Sequence, residues 1–255
     1  MNKVIKFIVL DILKNKFVVI YTFILLILSW SVFSLENNFT KGLLSLLNII
    51  LLIVPMVAIL FSTIYMYNSS EFIELLLGQP IKRKKIWMSM YIGLLISMTS
   101  AFLIGAGIPI ILFAFSSVGL MMLVTGCLIT IIFVSLAMLA SILMRDKAKG
   151  IGLSMMIWLF FSLMFDGLVL FLLFQFSDYP IEKAMIGLSF LNPIGLSRIL
   201  ILLQLDVSAL MGYTGAIFKD FFGTSMGVII SFLCLLCWAI IPFLISLSRF
   251  NRKDL

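Results

Sequence analysis

Histidine is absent from this 255-residue sequence, and cysteine occurs only three times. The absence of histidine removes the commonest metal ligand and the commonest general base together. The sequence also lacks a Gly-x-x-x-x-Gly-Lys-Ser/Thr phosphate loop, so we do not expect the chain to bind ATP in that manner. Intramembrane aspartyl or serine catalysis needs a second carboxylate or a partnered base, and a single ionisable residue falls within the apolar runs described below. The sequence therefore predicts that the chain is not an enzyme.

Charged residues are scarce as well, at 11% of the chain, whereas hydrophobic residues make up 63%. A soluble domain of this size cannot accommodate that composition, so the lipid bilayer is the expected solvent. Six apolar runs reach the roughly 20 residues that a helix needs to cross the hydrocarbon, and their lengths favour helices over a barrel. The sequence thus predicts an all-α membrane protein, 1–255 forming one transmembrane domain. The runs are 17–35, 43–67, 86–115, 118–144, 151–176 and 224–247.

Lysine and arginine are distributed unevenly between the two ends of these runs. Of the 18 basic residues, four (Lys41, Lys183, Arg198 and Lys219) fall on one side, which leaves 14 on the other. The positive-inside rule therefore places both termini in the cytoplasm. The same asymmetry accounts for the net charge of +7, so no nucleic-acid partner is expected.

The segment 177–223 is the longest part of the chain outside the six runs. Its central stretch, 194–218, is nearly as apolar as a span, but Arg198 and Asp206 interrupt it. Burying both charges would cost on the order of 5 kcal/mol, so we predict amphipathic helices at the outer surface before span six and no seventh crossing.

The loop 68–85, NSSEFIELLLGQPIKRKK, separates the second and third runs. Asn68 and Glu71 fit a capping box, and Gly78 with Pro80 ends the short helix that it would begin. The apolar positions at helical spacing are Phe72, Leu75 and Leu76. An amphipathic helix at this place offers a contact for a soluble partner, although a helix lying on lipid gives the same pattern.

Asp166 is the ionisable residue within an apolar run. Burying its charge costs about 3 kcal/mol, and such residues usually face the bundle interior or a wet cavity. A role in a transport pathway or its gating and a structural role as a helix-to-helix bond are both open.

Small residues recur every four positions in the third run, at Gly93, Ser97, Ala101 and Gly105. This ridge predicts close helix packing, because small residues let backbones approach in lipid. In the sixth run Cys234 and Cys237 share a helix face, but such a pair in an apolar helix is usually two small buried residues. We therefore predict no metal site.

The whole chain resembles the ABC-2 type permeases, the membrane subunits of one class of ATP-driven transporter. The most telling local match is the block 71–93, in which an acidic residue, a Leu-Leu pair, a small residue, proline and then basic residues follow one another. In detail the chain looks like the NosY-type branch, above all through LNPIGLSRILILLQLDVSALMGYTGAIF at 191–218 and WLFFSLMFDGL around Asp166.

The resemblance implies a permease that pairs with a second copy of itself and with two copies of a separate ABC ATPase, which would hold the ATP and Mg. The short helix would be the cytoplasmic coupling helix after span two. Its implied ATPase-coupling residues are Glu71, Phe72, Glu74, Leu75, Leu76, Gly78, Pro80, Lys82 and Arg83.

In the NosY-type branch, the resemblance further implies a periplasmic NosD-like partner and a role in maturing the copper centre of nitrous oxide reductase. The implied docking residues of the external segment are Asn192, Pro193, Arg198, Asp206 and Tyr213. Two alternatives stay open, namely a membrane scaffold that relays force without transport and an exporter of lipid, drug or peptide. No cofactor bound by this chain is implied.

Overall fold

The computed structural model describes residues 2–36, 38–176, 182–205 and 213–252. These residues form helices and no β-strand, and six of the helices are long and apolar enough to cross a membrane. The predicted all-α fold with six spans is confirmed. The spans are α2 (Lys16–Leu35), α3 (Phe39–Asn68), α5 (Arg83–Phe113), α6 (Ser117–Leu143), α7 (Lys147–Gln175) and α11 (Ser225–Arg252).

Shorter helices lie between and before the spans. They are α1 (Asn2–Lys14), α4 (Ser70–Leu77), α8 (Glu182–Ser189), α9 (Pro193–Gln204) and α10 (Tyr213–Phe222). The predicted external segment before span six thus contributes α8 to α10. The longest of these three, α9, has 12 residues and so reaches only about 18 Å, which is too short to cross the hydrocarbon.

The core of the bundle is built around α3, α5 and α6. More than half of the apolar stretch of each of these spans is buried within the chain, whereas α2, α7 and α11 are only 22% to 28% buried. The outer three spans therefore present most of their apolar surface to lipid or to another protein.

Helix α1, which the sequence analysis does not predict, packs on α5 and α3. Ile8 and Ile12 are fully buried, and the Tyr65 hydroxyl of α3 donates a hydrogen bond of 3.0 Å to Asp11 Oδ2. The chain therefore has an amphipathic helix before its first span.

The small-residue ridge of α5 receives α1 and α2. A Cβ atom at Gly93 would collide with Ile8, and one at Gly105 would lie 2.8 Å from Leu25 Cβ and 3.0 Å from the carbonyl oxygen of Thr22. Ser97 and Ala101, between them on the ridge, are buried. The backbones of three helices thus approach closely along this one face.

Two spans contain a π-helical turn, Leu103–Gly107 in α5 and Phe160–Met164 in α7. The turn in α5 directly precedes Pro109, which has no N–H group to continue the regular helical ladder.

Candidate functional site

Helix α4 follows α3 after a single non-helical residue, Ser69. Asn68 is the last residue of α3, and its Oδ1 accepts a hydrogen bond of 2.8 Å from Lys147 Nζ at the start of α7. Ser69 occupies the N-cap and makes no side-chain cap hydrogen bond. The predicted capping box of Asn68 and Glu71 is therefore wrong, because α3 continues through Asn68, one residue beyond the apolar run, and the N-cap falls on Ser69.

One face of α4 is buried against the bundle. Ile73 and Leu76 are each 7% exposed, and the ring of Phe72 packs on Phe7 of α1 with 5.6 Å between centroids. Leu76 is therefore not available to a partner, which corrects its predicted role as an ATPase contact. Five apolar residues crowd into this short helix, so the sequence alone does not identify which of them point inward.

The opposite face of α4 is open. Leu75 is 71% exposed, and Glu71 and Glu74 are exposed on the same side of the helix. A large apolar side chain beside two acids forms a compact surface of mixed character, which we call the coupling face.

The turn after α4 is short and rigidly placed. Gly78 has an ordinary right-handed backbone (φ −70°), and its N–H donates to the Glu74 carbonyl at 3.2 Å. Pro80 lies in the wall of a cavity of about 250 Å³ between α1 and the start of α5. Lys82, the N-cap of α5, is exposed, and Arg83 is the first residue of that helix.

A groove of about 340 Å³ borders the other flank of α4. Its floor is apolar, and Ser70, Glu74 and Arg145 contribute polar groups. Helix α4 thus packs against the bundle on one side and borders an open groove on the other.

A second site lies where α7 meets the external helices. Arg198 Nη1 of α9 donates to Asp166 Oδ2 of α7 at 2.5 Å, and the side chains are 34% and 38% exposed. The structure brings together two residues to which the sequence analysis assigns different roles.

Around this ion pair is a cavity of about 300 Å³, which we call the outer pocket. It is lined by Phe165, Asp166, Val169, Leu170, Leu173, Met185, Ser189, Asn192, Gly195, Arg198, Ile199, Leu202 and Phe218.

Asn192 and Pro193 are buried, so their predicted place on an external docking surface is wrong. Asn192 Oδ1 accepts from the Ile194 N–H at 3.0 Å and caps α9, while Nδ2 donates to the Phe161 carbonyl at 3.0 Å. That carbonyl belongs to the π-turn of α7. Of the other predicted docking residues, Asp206 lies outside the described residues, and Tyr213 begins α10.

We expect Asn192→Ala to destabilise the chain by about 2 kcal/mol, because it removes a helix cap and leaves the Phe161 carbonyl buried without its partner. Thermal unfolding of the detergent-purified chain measures the loss. Leu191→Ala, at the exposed neighbouring position, should change the unfolding temperature little. Equal effects of the two substitutions would contradict the bridging role of Asn192.

Within the described residues, no group of three or more histidine, cysteine, aspartate or glutamate side chains is placed to hold a metal ion. The three cysteines, Cys127, Cys234 and Cys237, are free thiols.

Six candidate spans, a short helix linking the second to the third and a helical segment before the sixth are the architecture of a multi-pass membrane protein. Residues 6–255 match the family described as ABC-2 family transporter protein, and the chain belongs to that family. It is a permease subunit in the bacterial inner membrane, and permeases of this family work with an ABC ATPase. The chain is also similar to the probable ABC transporter permease protein NosY of Stutzerimonas stutzeri, with 24% identity over 233 residues that cover 82% of this chain and 79% of the relative.

Proposed function

We propose that α4 is the coupling helix through which a separate ATPase drives this permease. The observation that carries the proposal is the coupling face, since Leu75 is 71% exposed on a helix whose opposite side is anchored in the bundle. An exposed leucine beside Glu71 and Glu74 suits a groove with an apolar floor and a basic edge. The ATPase supplies the ATP and Mg, and the permease converts the movement.

The connections of α4 support transmission of that movement. A single residue, Ser69, separates it from α3, and a short turn joins it to α5. The contact of Phe72 with Phe7 adds α1 as a third path. A displacement of α4 as a rigid body would therefore act on two core spans at once, and the groove beside it leaves room for such a displacement.

At the level of biology, we propose that two copies of the chain and two ATPases form the transporter, and that a periplasmic NosD-like protein docks on the external segment. The similarity to NosY over 82% of the chain supports a role in maturing the copper centre of nitrous oxide reductase. The side chains offered to that partner come from the exposed surface of α8 to α10, since Asn192 and Pro193 face inward.

Purification of the native complex tests the assignment. Mass spectrometry of its subunits should find an ABC ATPase together with a periplasmic protein, and ATP should drive movement of a cargo across sealed vesicles. A complex that contains the ATPase but moves nothing would favour the scaffold that relays force. A functional complex without any nucleotide hydrolase would refute the coupling proposal.

The predicted orientation has its own test. In a chain whose three cysteines are replaced by alanine, we expect Glu71→Cys to react with a membrane-impermeant maleimide only from the cytoplasmic side. Lys219→Cys, at an exposed position of α10, should react only from the periplasmic side. Labelling of Glu71→Cys from the periplasm would place α4 on the wrong side for an ATPase.

A further inference from the structure

The outer pocket combines opposite charges with apolar walls. Asp166 and Arg198 meet in it, and most of its remaining lining is aliphatic or aromatic. Neither side chain uses all of its hydrogen-bonding atoms in this ion pair. Arg198 Nε is buried and has no hydrogen-bond partner among the described residues, and the bond to Arg198 uses only one oxygen of the Asp166 carboxylate. The Arg198 side chain as a whole is 34% exposed, so the other N–H groups of its guanidinium can donate to a ligand that supplies an acceptor.

The rim of the pocket continues into the lipid-facing surface of α7. Leu170 lines the pocket and is 54% exposed, and the nearby Phe171 and Phe174 are 64% and 81% exposed. Asp166 lies nine residues before Gln175, the last residue of α7, which is a rise of roughly 14 Å. The pocket is therefore in the outer half of the span and opens beside hydrocarbon, where an acyl chain can enter.

We propose that the outer pocket binds a zwitterionic phospholipid of the phosphatidylethanolamine class. The phosphate accepts hydrogen bonds from Arg198, the ammonium group donates to Asp166, and an acyl chain lies along Leu170 and Leu173. Charge complementarity selects this headgroup, because a cation and an anion side by side match a ligand that carries both signs. A lipid with net negative charge would bring an uncompensated anion beside Asp166. The quaternary ammonium of phosphatidylcholine has no N–H to donate.

This lipid site is independent of the coupling proposal, since none of its lining residues belongs to α4 or to the groove and cavity beside α4. It gives Asp166 a ligand-binding role in addition to its bond with Arg198.

The test uses the full-length chain reconstituted in vesicles of equal parts phosphatidylethanolamine, phosphatidylcholine and phosphatidylglycerol with matched acyl chains. After mild detergent extraction, native mass spectrometry identifies the lipids that stay bound. We expect retained phosphatidylethanolamine to exceed phosphatidylcholine about tenfold, as one additional charge-assisted hydrogen bond would give. Equal retention of the three lipids, or a preference for phosphatidylglycerol, would overturn the proposal.

Variants localise the retained lipid. Arg198→Gln should lower retention about tenfold, and Asp166→Asn should abolish the preference for phosphatidylethanolamine over phosphatidylcholine. Lys219→Gln and Asp220→Asn are the matched controls, because these charges are exposed on α10 and do not line the pocket. If the Arg198 and Asp166 variants retain lipid as their controls do, the site lies elsewhere. The wild-type headgroup comparison stands even where a variant fails to fold.

A final experiment distinguishes a bound lipid from a water-soluble zwitterion. Glycerophosphoethanolamine carries the same headgroup without acyl chains, and at millimolar concentration it should not displace the retained lipid. Full displacement would show that the pocket recognises a water-soluble ligand, and the lipid assignment would then be wrong.

Discussion

Leu75→Asp should weaken binding of the partner ATPase about 100-fold while the chain still inserts and folds. Leu75 is 71% exposed in the isolated chain, so its replacement removes no internal contact of consequence. In the proposed complex it fills an apolar groove, where a carboxylate without a partner costs about 3 kcal/mol. Co-purification of the ATPase and the ATP hydrolysis rate of the reconstituted complex measure the loss.

Ala148→Asp is the matched control, since it adds a carboxylate at another exposed position on the same predicted side of the membrane. It should leave ATPase binding intact. Leu76→Asp is unsuitable as a test because Leu76 is 7% exposed, and its replacement would disrupt the packing of α4 itself. Unchanged ATPase affinity and hydrolysis in the Leu75→Asp complex would exclude the coupling face as the contact.

Gly105→Val should destabilise the bundle by about 3 kcal/mol or more, the upper range for overpacked sites. Even the first carbon of the new side chain would lie 2.8 Å from Leu25 Cβ and 3.0 Å from the carbonyl oxygen of Thr22. A backbone oxygen cannot rotate away as a side chain can, so α2 would have to separate from α5. The unfolding temperature in detergent and the protein yield report the effect.

Gly152→Val provides the comparison for this substitution. Gly152 also lies in a span, but a Cβ atom there meets nothing within 4 Å. It carries the same change in helix propensity without the collision, so the detergent-purified chain should lose well under 1 kcal/mol. If both variants unfold at the same temperature, close packing on the α5 ridge is not what stabilises this interface.

The spans could be predicted from the sequence because the bilayer imposes a minimum length on any apolar helix that crosses it. The prediction of no seventh crossing rested on the cost of Arg198 and Asp206 in hydrocarbon, and among the described residues of 194–218 no helix is long enough to cross. Helix α1 was detectable in principle, since Ile5, Ile8 and Ile12 recur at helical spacing.

Side-chain directions were harder to predict, for two physical reasons. In α4 the apolar residues outnumber those that one face can hold, so only the tertiary contacts distinguish Leu75 from Leu76. In the external segment, asparagine is a residue type usually found at the surface. Asn192 is nevertheless buried, because the Phe161 carbonyl accepts a hydrogen bond from its side-chain amide. That carbonyl belongs to a π-turn, and no local sequence signal in the chain announces one.

The bond between Asp166 and Arg198 was equally hidden, because the two residues are 32 positions apart and belong to different elements. The sequence could show that each charge was expensive in an apolar setting. It could not show that the two charges neutralise each other in an ion pair.

The π-helical turns in α5 and α7 affect the direction in which the side chains after them point around the helix axis. Each holds one more residue than an ordinary turn would, with the Ile108 N–H reaching back to Leu103 and the Phe165 N–H to Phe160. One residue corresponds to about 100° of rotation about a helix axis. Deleting one residue from 160–164 would therefore convert the wide turn into an ordinary one and leave Asp166 facing Arg198, whereas deleting one residue from the regular helix before 160 would turn Asp166 away from Arg198. Among descendants of a common ancestor, single-residue gaps at these two turns would thus preserve the azimuth of the helix beyond them, whereas a gap elsewhere in either span would rotate that part by about 100°.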